Sequence, residues 1–355
     1  MLLTTPDTPA RHDADHVPPR AIGFWGGLSA NLLNMIGIGP FITIPLALSA
    51  LAGPMVLLGW VAGALLCLCD GLVWAELGSA IPKSGGPYHY LREAYGRERL
   101  GRLFGFLYLW QTLLTAPLSI GAAAVGFTQY LAFLVPGLAP WQLTAIAAAL
   151  CLFNTALLYR EVRSVQVLSL LVTAAVVAAV VWIVISGVLH FDMAIAVALI
   201  MLASWGSALV VLLGYSRVPY AAAAEGQFFR VFARLHPRGR FPTVSLLFVG
   251  ATSALACLLS LDDLIATLMV IQIMFQFMAQ CLAVVLLRRQ AQRPRDAFSM
   301  PLYPWPLWVS VAGWLYILAT SQGRHLLAAV VALCVGTALF FIQARRQDTW
   351  PWVAR

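Results

Sequence analysis

The sequence predicts an all-α integral membrane protein with about ten transmembrane helices, and three observations carry that expectation. Hydrophobic residues make up 61% of the 355-residue chain and charged residues 10%, with a mean hydropathy of +0.85. That balance belongs to chains buried in lipid rather than to soluble domains. Apolar runs follow one another almost without pause from residue 22 to residue 344, each long enough to cross about 30 Å of hydrocarbon. With the N-terminus placed inside, every one of the 22 basic residues except Arg324 falls in an inside segment, which is the charge bias of cytoplasmic loops.

Residues 1–20 are polar and Pro-rich, with Pro6, Pro9, Pro18 and Pro19 beside Asp7, Asp13 and Asp15. They lack the apolar core of a cleavable signal and are expected to form a disordered cytoplasmic tail. A single polytopic domain is expected over 21–346, followed by a cytoplasmic tail over 347–355. Its apolar runs cover 22–49, 54–80, 103–135, 141–159, 164–188, 194–215, 243–260, 264–287, 305–322 and 325–344. An even number of spans puts both termini in the cytoplasm of a cell membrane. The sequence pI of about 9.5 does not point to nucleic acid, because the basic residues punctuate apolar runs and form no stripe on a polar domain. Cys67, Cys69, Cys151, Cys257, Cys281 and Cys334 all lie inside apolar runs without metal-ligand spacing and read as small packing residues.

Two inside loops carry pattern. Pro82-Lys83-Ser84-Gly85-Gly86-Pro87-Tyr88 is a turn that leads into an amphipathic segment ending at Tyr95-Gly96. The loop 216–242 interleaves Phe228, Phe229, Phe232 and Leu235 with Arg230, Arg234 and His236, which predicts a short helix lying in the headgroup region.

The first run contains Asn34-Met35-Ile36-Gly37-Ile38-Gly39-Pro40-Phe41. Gly37, Gly39 and Pro40 all work against an unbroken helix. In lipid, a break survives where it is buried in protein or lines a cavity. Two readings stand together: a broken first helix that shows its backbone to a substrate, or a packing kink. Pro40 suits the first turn of the helix that restarts. Asn31 and Asn34 sit one turn apart just before the break and could cap or support it.

Ionisable side chains within a span are functional candidates. Asp70 and Glu76 share the second run but project about 240° apart on a helix, so they do not form one site. Asp70 fits a titrating group or a counter-ion to a cationic substrate, and equally a carboxyl bonded to a neighbouring helix. Glu76 is placed to tie up the adjacent Gly-Gly loop. Gln272, Gln276 and Gln280 recur every four residues and predict hydrogen-bonding between helices. Trp205, Gly206 and Ser207 form a polar interruption of the sixth run, whereas His89, His190, His236 and His325 are scattered and suggest no metal site. No nucleophile elbow, phosphate loop or metalloprotease motif occurs, so an enzyme reading has no positive feature and no cofactor is expected.

Taken together, the motifs resemble the amino acid–polyamine–organocation superfamily. They are Gly37-Ile38-Gly39-Pro40-Phe41; Ala75-Glu76-Leu77-Gly78 leading into Pro82 through Gly96; and Ser216-Arg217, Tyr220-Ala221, Glu225-Gly226, His236-Pro237 and Pro242. The resemblance implies a LeuT-type bundle of two inverted five-helix repeats and secondary transport of an amino acid, polyamine or related amine, coupled to a proton or sodium. It places the substrate against Gly37, Ile38 and Gly39, with Asn34, Pro40, Trp205 and Ser207 as further candidates.

Three departures from the family pattern follow. Pro40 supplies no N–H where the family offers an amide. Proton-driven members often carry a lysine in the fifth helix, but the equivalent here is Thr173, and Lys83 is the only lysine. Coupling then falls to Thr173 or Asp70. Finally, the fifth run ends near Ser186-Gly187, and after His190-Phe191-Asp192 the chain enters what resembles the family's eighth helix. The sixth and seventh helices are expected to be missing, which would impair the site or leave a non-transporting membrane interaction protein.

Overall fold

The computed structural model describes residues 28, 39–50, 55–82, 86–97, 99–160, 173–174, 177–178, 181, 193–236, 241–289, 297–346 and 350–351. These residues are helical apart from short connections. In chain order the helices are α1 (Gly39–Ala50), α2 (Met55–Ala80), α3 (Pro87–Ala94), α4 (Leu100–Leu134), α5 (Pro140–Arg160) and α6 (Met193–Ala224). A 3₁₀ turn (Arg230–Ala233) leads to α7 (Thr243–Ala256), α8 (Leu261–Gln272), a π-helical segment (Ile273–Phe277), α9 (Met278–Arg289), α10 (Trp305–Thr320) and α11 (Gly323–Arg346).

Among the described residues, six helices are long and apolar enough to cross a membrane, and α7 and α10 are shorter apolar helices. Eight of the expected runs thus coincide with described helices, with α8, the π segment and α9 forming one 29-residue span. The run 22–49 is described at Leu28 and from Gly39 onward, and most of the run 164–188 lies outside the described residues, as do the N-terminal tail and all of the C-terminal tail except Trp350 and Pro351.

Helix α4 is the axis of the bundle. Its 35 residues would extend about 52 Å at 1.5 Å per residue, longer than the hydrocarbon core. It packs against α3, α5, α6, α7, α8 and α11. Leu109, Ala116, Ile120 and Ala124 on α4 meet fully buried Leu212 of α6 and Val249 of α7 in one apolar core. Pro117 lies inside α4 and Pro219 inside α6. By contrast α2 buries one stripe, Cys69, Val73, Glu76 and Leu77, at the three- and four-residue spacing of a helix face. Leu57, Leu58, Val61, Leu65 and Leu68 are exposed, the outward apolar surface expected of a helix facing lipid.

Helix ends and close approaches follow local chemistry. Ser260 caps α8 by accepting from the Asp263 N–H at 3.2 Å, and Asp262 and Asp263 sit in its first turn, where the helix dipole favours negative charge. Helices α5 and α7 approach so closely that a Cβ on Gly250 would collide with the Thr155 side chain. Likewise Gly336 of α11 makes room for the Trp110 ring, whose indole N–H reaches the Ala332 carbonyl at 2.8 Å.

The expected headgroup helix in 216–242 is corrected. Helix α6 runs on to Ala224, and the aromatic residues beyond it turn into the protein. Phe228 is 1% exposed and Phe232 7%. Phe106 of α4 lies 5.4 Å from Phe228 and 5.6 Å from Phe340 of α11, ring centre to ring centre. Alternating aromatic and basic residues make an amphipathic pattern, and here the apolar side is taken by helix ends rather than by lipid. The segment closes with an antiparallel bridge between Leu235 and Pro242.

Candidate functional site

The start of α1 is held by α4. The Tyr130 hydroxyl donates to the Phe41 carbonyl at 2.8 Å, two residues past Gly39. Thr43 donates to the Gly39 carbonyl at 3.0 Å. Gly39 is exposed, and a Cβ built there would meet nothing within 4 Å. Gly39 and Pro40 are helical, whereas Gly37, Ile38 and Asn34 lie outside the described residues.

Trp205 of α6 donates its indole N–H to Asn154 of α5 at 2.8 Å. Its ring lines an open groove of about 390 Å³ with Phe127, Leu134, Leu150, Phe153 and Met201. At 100° per residue, Phe127, Tyr130 and Leu134 fall within about 60° of one another around α4. The Phe41 carbonyl and the Trp205 ring therefore stand on the same face of α4. Ser207 is buried and projects about 200° away from Trp205 around α6, so the two do not share a site. Ser204, absent from the sequence-based candidates, is fully buried and bonds the Ala123 carbonyl of α4. Its only signal was a hydroxyl one residue before Trp205 in an apolar run.

Asp70 occupies a different place. Its Oδ2 accepts from the Trp74 indole at 3.0 Å and its Oδ1 from the Trp314 indole of α10 at 3.1 Å. Asp70 is 9% exposed, so it is a buried carboxyl bonded to a neighbouring helix, with both oxygens engaged. Trp314 stacks on Phe277 of the π segment, 4.7 Å between ring centres. Thr173 is buried.

Glu76 accepts from Arg288 Nε and Nη2, each at 2.7 Å, and from the Met300 N–H at 2.9 Å. It ties α2 to the end of α9 and to the segment before α10. Lys83, Ser84 and Gly85, the middle of the loop assigned to it from sequence, lie outside the described residues. Beyond that loop, α3 packs its Tyr88 into the core, and burial pushes the phenol up to about 12, so it stays uncharged at physiological pH.

Of the three glutamines, Gln276 does join helices: its Oε1 accepts from Gln111 Nε2 of α4 at 3.0 Å. Gln280 is fully buried, and neither of its amide atoms has a hydrogen-bond partner. Gln272 is half-buried. The π segment that carries Gln276 had no Gly or Pro to announce it.

Comparison with known proteins fits this architecture. The family described as "Amino acid permease" matches residues 22–196 and 191–354. The serine/threonine exchanger SteT of Bacillus subtilis is 37% identical over 124 residues, 34% of this chain and 27% of that protein. The b(0,+)-type amino acid transporter 1 of Homo sapiens is 33% identical over 174 residues, 47% of this chain and 34% of that protein. An uncharacterized transporter of Mycobacterium tuberculosis is 32% identical over 170 residues, 45% of this chain and 35% of that protein. The matched stretches thus span about a third or less of each relative's length. Since the two family matches together cover nearly all of the sequence after the first twenty residues, this multi-pass, all-α membrane protein belongs to the amino acid permease family, within the amino acid–polyamine–organocation superfamily.

Proposed function

We propose that the chain carries amino acids or related organic amines across a cell membrane by secondary transport, with both termini cytoplasmic. The observation that carries this reading is the family match over 22–196 and 191–354. The activities for which two relatives are named, serine/threonine exchange and amino acid transport, support the substrate class. The substrate lies against Gly37, Ile38 and Gly39, beside the α4 face that holds the Phe41 carbonyl and faces Trp205. Asp70 and Thr173 are the candidates for coupling to a proton or sodium. Reconstitution of the purified chain into liposomes, followed by uptake of a panel of radiolabelled amino acids and polyamines, tests the proposal. Saturable uptake of an amino acid supports it, and absence of uptake by folded protein overturns it.

A second reading is a shortened homologue that does not transport and acts by interaction within the membrane. It is favoured by the break of the family match into two stretches that meet at 191–196, where the sequence resemblance places the missing sixth and seventh helices. Under that reading the purified chain shows no stabilisation by any amino acid.

A further inference from the structure

We propose that Cys151 of α5 and Cys257 at the end of α7 form a modification site, a thiol pair that peroxide converts to an intramolecular disulfide fastening the two helices. The proposal goes beyond transport of a substrate and does not depend on it.

The two sulfurs lie 3.7 Å apart, in contact, although 106 residues separate them in the chain. Cys151 is 1% exposed and Cys257 2%, and both are free thiols. Among the described residues this is the one pair of cysteines whose sulfurs meet. The contact belongs to a seam between α5 and α7. Cys151 and Thr155 fall about 40° apart around α5, and Gly250 and Cys257 about 20° apart around α7. Thr155 occupies the space where a side chain at Gly250 would stand, and its hydroxyl donates to the Cys151 carbonyl at 2.8 Å. Without a side chain at Gly250 the helices approach closely, and one step further along the same seam two short cysteine side chains touch.

The chemistry follows from that contact. The Cys257 thiol donates to the Ser253 carbonyl at 3.3 Å. Its single proton is then spent, so Cys151 is the thiol that donates to the Cys257 sulfur. A disulfide is about 2.05 Å long, so each sulfur has to advance by less than about 1 Å. Cys257 has room for this: it caps α7, and the connection 258–260 to α8 follows at once. Hydrogen peroxide, small and uncharged, oxidises one thiol to a sulfenic acid and releases water. The second sulfur attacks the sulfenic sulfur and expels hydroxide, which takes that thiol's proton and leaves as a second water. In sum, two thiols lose two electrons and two protons, and one peroxide becomes two waters. In the orientation proposed above, α7 leaves an inside loop, so its Cys257 end points outward, toward the side of a membrane where disulfides persist.

The test uses the full chain in detergent, treated with hydrogen peroxide and then denatured in N-ethylmaleimide, which caps the thiols that remain. The expected result is capping of four of the six cysteines. Mass spectrometry of the monomeric protein should find a linked peptide pair holding Cys151 and Cys257, which dithiothreitol separates. The treated protein is expected to unfold about 4 °C or more above the untreated one, and Cys151→Ser and Cys257→Ser abolish that rise. Six capped cysteines, sulfinic acid at either position, or linkage through Cys67 or Cys334 instead overturns the site. A Cys151–Cys257 bond that leaves the midpoint unchanged overturns the fastening of α5 to α7. Should the serine variants misfold, the wild-type peptide map alone decides between a linked pair and two separate thiols.

Discussion

Arg288 holds both carboxylate oxygens of Glu76 at 2.7 Å each, across 212 residues of sequence. The Glu76 side chain is 4% exposed and the Arg288 side chain 22%. Arg288 also lies 3.8 Å above the Tyr303 ring, so one guanidinium gathers α2, α9 and the segment leading to α10. Removing one member of such a pair strands the other, at a cost of about 3–5 kcal/mol. Glu76→Gln and Arg288→Ala are both expected to lower the unfolding midpoint of the purified protein markedly. Arg288→Lys keeps the charge but loses the two-pronged geometry and is expected to fall between. Equal midpoints for wild type and Glu76→Gln would show that the pair contributes nothing to stability.

Asp70 engages two indole donors, one per oxygen. Asn in its place keeps one acceptor and turns an amide N–H toward the other indole. The expected loss is about 1–3 kcal/mol for the donor left without an acceptor, read as a lower unfolding midpoint. If Asp70 also takes up the coupling proton, Asp70→Asn removes the pH dependence of uptake. Uptake with the wild-type pH profile in that variant would confine Asp70 to holding α10.

The contact between α5 and α7 depends on the absence of a side chain at Gly250. Gly250→Val must displace Thr155 or part the helices, and overpacking of this kind costs about 1–3 kcal/mol. The double change Gly250→Val with Thr155→Ala is expected to recover part of the loss, since the two positions share one space. Thermal unfolding of the four proteins measures this. No recovery would place the Val elsewhere.

Affinity should be low if the family's sixth and seventh helices are missing. The family resemblance implies that a broken sixth helix would hold the substrate's amino group, and its loss would remove two or three charge-assisted bonds worth about 1.5–3 kcal/mol each. A micromolar ligand has about 8 kcal/mol in total. Calorimetric titration of the purified chain is expected to show millimolar or weaker binding. Saturable micromolar affinity would mean that other helices have rebuilt the site.

How much of this was legible in the sequence follows from the range of each signal. Long apolar runs and basic loops are local, and they placed α2 and α4 to α11 within a few residues, α6 excepted at its C-terminal end. The Asp70 carboxyl and the glutamine spacing marked polar groups that need partners. The partners themselves, Trp314 at 244 residues and Gln111 at 165 residues from their mates, come from tertiary packing and leave no local trace. Phe228 and Phe232 were misplaced because an apolar stripe reads the same whether lipid or protein covers it. The π segment leaves no local trace, because Ile273-Met274-Phe275-Gln276-Phe277 contains neither Gly nor Pro and reads as ordinary helix.

The most direct test of the proposed function is amino acid uptake by the purified chain in proteoliposomes, wild type beside a Gly37→Leu/Gly39→Leu variant. The account predicts uptake by the wild type that saturates only at high substrate concentration. It also predicts none by the variant, although the variant inserts and folds. Uptake unaffected by the two leucines would make the Gly-Pro stretch a packing kink, and no uptake of any amino acid by folded wild-type protein would contradict transport itself.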